Sequence, residues 1–156
     1  FLEKTLGSRF TVGVDYVPTS LSTDTTESTK LDLTEGSTAT GQNKIQIDFE
    51  DLTTYYVAFN VTENLYAKAG MVTVDVITNE KLHTGSTYAN TSLDGSLFGV
   101  GYNKDFDNGT FFRVEGNYMD FDGATVTGTG TQTVAAKVTL NQLHGVTGKL
   151  AVGKSF

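Results

Sequence analysis

The chain contains no cysteine and no tryptophan, and its only proline is Pro18. Without cysteine there are no disulfide staples and no thiolate metal sites. A lone proline leaves the rest of the chain free to run as uninterrupted strands. No stretch approaches the roughly 18 consecutive apolar residues of a transmembrane helix. That does not exclude a membrane, because a spanning β-strand needs only about 9–11 residues of alternating character. Basic residues are also scarce relative to acidic ones. The formal net charge is -7, which speaks against a nucleic-acid partner or an anionic-lipid surface binder. At 156 residues there is room for one domain, 1–156.

What is present is alternation. Toward the C-terminus Val146, Gly148, Leu150, Val152, Lys154 and Phe156 share one face, and Thr147, Lys149, Ala151, Gly153 and Ser155 the other. One side is mostly apolar and the other small or polar, the period-2 pattern of a strand between oil and water. The same pattern predicts strands over 9–17, 46–61, 65–78, 94–105 and 110–121, with 136–156 as one long final strand. Phe10, Val12, Val14 and Tyr16 alternate with Arg9, Thr11, Gly13 and Asp15. Tyr55, Val57, Phe59 and Val61 oppose Glu50, Thr54, Tyr56 and Ala58, and Tyr66, Val72, Val74 and Val76 oppose Ala67, Met71, Thr73 and Asp75.

Between strands, short turns (6–8, 62–64, 105–109) alternate with long polar segments (18–45, 79–93, 122–135), which read as mobile loops. Short turns on one rim and long loops on the other describe an antiparallel up-and-down transmembrane β-barrel of the bacterial outer membrane. The expected fold class is therefore all-β. The large aliphatic and aromatic sets are expected to face lipid, with Tyr16, Tyr66, Tyr102 and Tyr118 in the aromatic girdles and Lys68, Lys104 and Lys154 reaching water near the rims. The opposite faces carry Arg9, Asp15, Glu50, Asp75, Arg113, Glu115 and Lys149, which predicts a lumen network of paired charges.

Chemistry-bearing motifs are few. Asp105-x-Asp-Asn-Gly and Asp120-x-Asp-Gly have the look of calcium loops, but Gly116 stands where the twelfth-position Glu belongs, and turn chemistry explains both. His144 falls in the lipid-facing phase near the outer interface, without a readable Ser/Glu constellation beside it. No catalytic residue, cofactor or metal site is expected.

The terminal Phe156, the loop-length pattern and the stretch Thr110-Phe-Phe-Arg-Val-Glu-Gly-Asn-Tyr-Met-Asp-Phe121 resemble the small eight-stranded outer-membrane barrels of the OmpA/OmpX/opacity type, whose penultimate strand often reads aromatic-Arg-x-Glu-x-x-Tyr. The resemblance implies that Phe156, with Val152 and Leu150 in phase, serves as the signal read by the barrel assembly machinery; the third-from-last position, commonly apolar there, is Lys154 here. It implies a monomer with both termini periplasmic. Six complete strands plus part of one are legible, so a barrel of eight would lack its signal peptide, its first strand and most of its second. The function expected is a non-enzymatic integral outer-membrane protein with lipid around it, playing a structural role or meeting an unidentified ligand at its surface loops. The alternatives are a narrow channel lined by Arg9, Arg113, Glu115 and Asp75, a lipid-modifying enzyme, and a soluble lipocalin- or avidin-like barrel with apolar residues inside.

Overall fold

The alternating segments pair into one continuous ladder in a computed structural model, which describes residues 1–31, 40–83, 87–129 and 137–154. The elements are β1 (Leu2–Leu6), β2 (Phe10–Val17), β3 (Leu21–Ser22), β4 (Thr26–Leu31), β5 (Thr40–Asn60), β6 (Leu65–Lys81), β7 (Thr91–Asp105), β8 (Thr110–Phe121), β9 (Ala124–Thr127), β10 (Lys137–Leu140) and β11 (Leu143–Lys154). The main sheet follows the order β1-β2-β5-β6-β7-β8-β11, and every ladder is antiparallel. It is an up-and-down meander whose outermost strands, β1 and β11, do not hydrogen-bond to each other, so the sheet is curled but open. No helix occurs among the described residues.

The short turns behave as their residues dictate. Gly7 and Gly109 adopt φ of 66° and 79°, conformations that a side chain would strain, and close the β1–β2 and β7–β8 connections. The Thr62 hydroxyl accepts from the Leu65 backbone N–H at 2.9 Å and ties the β5–β6 turn.

The long polar segments depart from the sequence expectation. Much of 18–45 is strand: β3 and β4 pair with β5, which begins at Thr40, and β6 continues to Lys81. β9 and β10 form a separate hairpin, so the predicted final strand is two, broken at Asn141-Gln142. Threonine-rich hairpins satisfy their backbones by pairing whether or not one face is buried, whereas apolar alternation reports burial alone. Pro18 marks the gap between β2 and β3, where pairing with β5 lapses.

Inside the curl, the half toward the short turns is polar and the half toward the long hairpins is apolar. Val72, Leu97 and Met119 form one buried cluster. Val74, Val76 and Leu93 form another, capped by Ile47, Phe49, Ala124, Leu140 and Leu143. The β9–β10 hairpin thus contributes side chains that close the upper interior.

Candidate functional site: a charged interior and an apolar exterior

Lys68 on β6 and Glu115 on β8 lie side by side with 1% of each side chain exposed, their Nζ and Oε1 atoms 2.6 Å apart. The Tyr66 hydroxyl donates to the other carboxylate oxygen of Glu115, and the Asn117 amide donates to Oε1 at 2.9 Å. Lys68 also sits 4.1 Å from the centre of the Tyr56 ring, a cation over a π face. Next to this pair, Arg113 grips Glu3 of β1 with two parallel bonds, 2.7 and 2.9 Å, and the Tyr56 hydroxyl donates to the same Glu3 at 2.5 Å. A third pair, Lys149 to Asp15, joins β11 to β2. Charges withdrawn from water are tolerable only when paired and hydrogen-bonded, and all six of these groups are.

Inward glycines make the space. A β-carbon on Gly101 would run into the Tyr66 ring and one on Gly99 into the Asn117 amide, so the two glycines of β7 form a bare floor over which the β6 and β8 side chains meet.

The structure brings together Asp15, Arg113, Glu115 and Lys149 of the residues assigned to the lumen and leaves the others out. Arg9 lies exposed in the turn before β2. Asp75 is exposed and faces Glu50 across the β5–β6 ladder on the outer side. Two physical reasons account for the difference. An extra residue in β5, Asp51 at φ 53°, makes a bulge that reverses the phase of Glu50. In β6 the large residues Val72, Val74 and Val76 face inward because the upper interior is an apolar core. Lys68, expected to snorkel outward, is inside for the same reason of phase. Tyr66, expected in a girdle, is 7% exposed and belongs to the interior. Tyr16, Tyr102 and Tyr118 are on the outer face, with Tyr16 bonded to Asp51. Glu3, Tyr56 and Asn117 were not assigned to the network from the sequence; for Tyr56 and Asn117 the signal was a glycine opposite each, Gly13 and Gly99.

The outer face is mostly apolar. In register across the sheet run Val12, Val57, Ala69, Phe98, Tyr118 and Val146, and below them Phe10, Phe59, Ala67 and Val100. Leu150 and Val152 extend this surface on β11, 76% and 80% exposed. Phe156 lies outside the described residues. Toward the long hairpins the belt gives way to acids: Asp120, Asp94, Asp75, Glu50 and Asp51.

At that boundary Tyr118 and Asp120 both contact Nδ1 of His144, at 2.9 and 3.1 Å, and Gln142 donates to Asp120 at 3.0 Å. Ser96 is the register partner of Asp120 on its other side, so a strand separates Ser96 from His144 by about 9.5 Å. That is too far for a base to take a proton from a nucleophile. Among the described residues no group of histidines and carboxylates is arranged to hold a metal ion. Comparison with protein families, with curated proteins and with solved structures returns no match for this chain.

Proposed function

We propose that this chain belongs to an integral outer-membrane β-barrel, non-enzymatic, whose apolar outer face meets lipid and whose polar hairpins stand on the cell surface in a structural or ligand-meeting role. The observation that carries the reading is the belt of exposed apolar side chains that crosses β2, β5, β6, β7, β8 and β11 in register, backed by charges on the inner face. A soluble protein seldom leaves a contiguous apolar patch of more than a few hundred Å² in water. Lipid removes the penalty, and the sequence of apolar belt then acidic rim follows the change from hydrocarbon to aqueous loops. The apolar upper interior also suits a soluble barrel, but that fold supplies nothing to cover the outside.

The interior favours a plug over a pore. Three cations face three anions, Lys68, Arg113 and Lys149 against Glu115, Glu3 and Asp15, and above them the Val72 and Val76 clusters fill the section. A barrel of this strand number has little room beyond its own side chains. Its biogenesis would involve the barrel assembly machinery, with Phe156, Val152 and Leu150 as the recognised end. The test is to express the protein in a Gram-negative host, fractionate the envelope, and compare gel mobility before and after boiling. Recovery with outer membrane and a heat-dependent mobility shift are expected. Clean recovery in the soluble fraction without detergent overturns the reading. Reproducible single-channel steps in planar bilayers replace the plug with a channel.

A further inference from the structure

Lys44 of β5 and Lys81 of β6 are register partners in the long β5–β6 hairpin, so two ammonium groups stand opposite each other across one ladder. They share the outward phase with Glu50 and Asp75, while Ile47, Phe49 and Val76 take the inward one. Like charges directly opposite on an antiparallel pair repel and cost stability. Glu27 of β4 answers one of the two: its carboxylate accepts from Lys44 and, at 2.8 Å, from the Gln42 amide. Lys81 has no ion-pair partner among the described residues. Asp48, the next carboxylate along the same face, is occupied by Asn79 at 2.6 Å and Gln46 at 3.4 Å. The lysine pair lies about 20 Å along the strands from the Glu50–Asp75 pair of the acidic rim.

An open groove of about 420 Å³ lies over these residues, lined by Thr25, Lys44, Gln46, Asn79 and Lys81. That volume suits a small molecule and exceeds what a bare anion fills. Glu80 also borders the groove, but its side chain is in the inward phase, where it accepts from the Tyr88 backbone N–H at 2.7 Å. No residue lining the groove is apolar, so nothing in it can stack a base or hold an aliphatic side chain. The ammonium groups donate to an anion. Thr25, Gln46 and Asn79 add hydroxyl and amide groups that both donate and accept, as sugar hydroxyls require.

We propose that this groove binds the acidic unit of a saccharide, with its carboxylate or phosphate seated between Lys44 and Lys81 and its hydroxyls on Thr25, Gln46 and Asn79. The anion supplies what the ladder lacks, a negative charge shared by both lysines. The saccharide is either free in the medium or the sugar portion of a glycolipid standing beside the hairpin. The second source rests on the outer-membrane reading, which puts the groove above the lipid; the groove itself does not.

The experiment folds the chain in uncharged detergent micelles with isotope-labelled lysine and follows the Lys44 and Lys81 side-chain NMR signals. The probe is trigalacturonate, a short chain of uronic acids, with maltotriose as its uncharged counterpart. Trigalacturonate is expected to shift both lysines saturably and to bind about tenfold or more tighter than maltotriose. Lys81→Gln or Lys44→Gln should weaken it about fivefold at low salt, whereas Lys4→Gln on β1 should leave it unchanged. Repeating the titration in vesicles that carry lipopolysaccharide separates the two sources. Lysine signals already at their bound positions, which free saccharide no longer moves, assign the groove to the membrane's own glycolipid; an unchanged titration assigns it to a soluble saccharide. Three outcomes overturn the proposal: no saturable shift at the two lysines, maltotriose or inorganic phosphate binding as tightly as trigalacturonate, or equal weakening by Lys4→Gln, which marks diffuse charge attraction. Failure of the membrane reading looks different, since the chain would then fold without detergent and the same titration would run in buffer.

Discussion

Lys68 and Glu115 sit on strands that are not neighbours, and meet across β7 because Gly99 and Gly101 put no side chain between them. One contact therefore depends on three strands. It draws in Tyr66, Tyr56 and Asn117, and through the Tyr56 hydroxyl the Glu3–Arg113 pair, so two of the three interior ion pairs form one connected unit with its charges cancelled in place.

Breaking this pair from one side should cost more than removing it. Glu115→Gln leaves Lys68 unmatched at 1% exposure, and Lys68→Met leaves Glu115 with an uncompensated charge; each is expected to lower stability by about 3–5 kcal/mol. The double variant should recover part of the loss. Urea unfolding of all four proteins in micelles closes the cycle, and additive losses would show the pair uncoupled.

The glycine floor offers a steric test. Gly101→Ala puts a methyl into the Tyr66 ring and should cost about 1–3 kcal/mol while releasing the Tyr66 hydroxyl from Glu115. Gly148→Ala, with nothing within 4 Å of the new carbon, should change stability by no more than about 0.5 kcal/mol. Thermal unfolding of the two variants, read side by side, separates space from propensity.

Lipid contact predicts a dependence on depth. Phe98→Lys lies in the middle of the apolar belt and should cost about 2–4 kcal/mol when the protein folds into vesicles, while Asp75→Lys on the acidic rim should cost about 0–1 kcal/mol. Equal costs at the two positions would argue that the belt does not meet hydrocarbon.

Asp51 is the non-glycine residue with positive φ among the described residues, and it forms the bulge that turns Glu50 outward. Asp51→Val should cost about 1–2 kcal/mol from backbone strain, to which loss of the Tyr16 bond adds. Asp51→Gly loses the same bond without the strain. Comparing the two midpoints in urea isolates the backbone contribution, and equal midpoints would place the whole effect in the hydrogen bond.

The sequence by itself determined the long strands β2, β5, β6, β7, β8 and β11 and their antiparallel order, since period-2 alternation interrupted by Gly7-Ser8 and Asn108-Gly109 leaves little else for the chain to do. It also determined the inward phase of Arg113 and Glu115, because the opposing Phe112, Val114 and Tyr118 are too apolar to share a wet face with them. Only the tertiary structure decided the faces of β6, where one phase carries Lys68 with Val72, Val74 and Val76 and the other Asp75 with Ala67, Ala69 and Met71, so that each side holds one charge among apolar residues; packing above the polar half chose Val72, Val74 and Val76 for the inside and carried Lys68 with them. It decided the side of Glu50 through one inserted residue, and the strands hidden in threonine-rich hairpins through backbone pairing that leaves no apolar trace. Alternation records that two faces differ. Which face a residue takes, and which strand beyond its neighbour it touches, depends on what the other strands place opposite it.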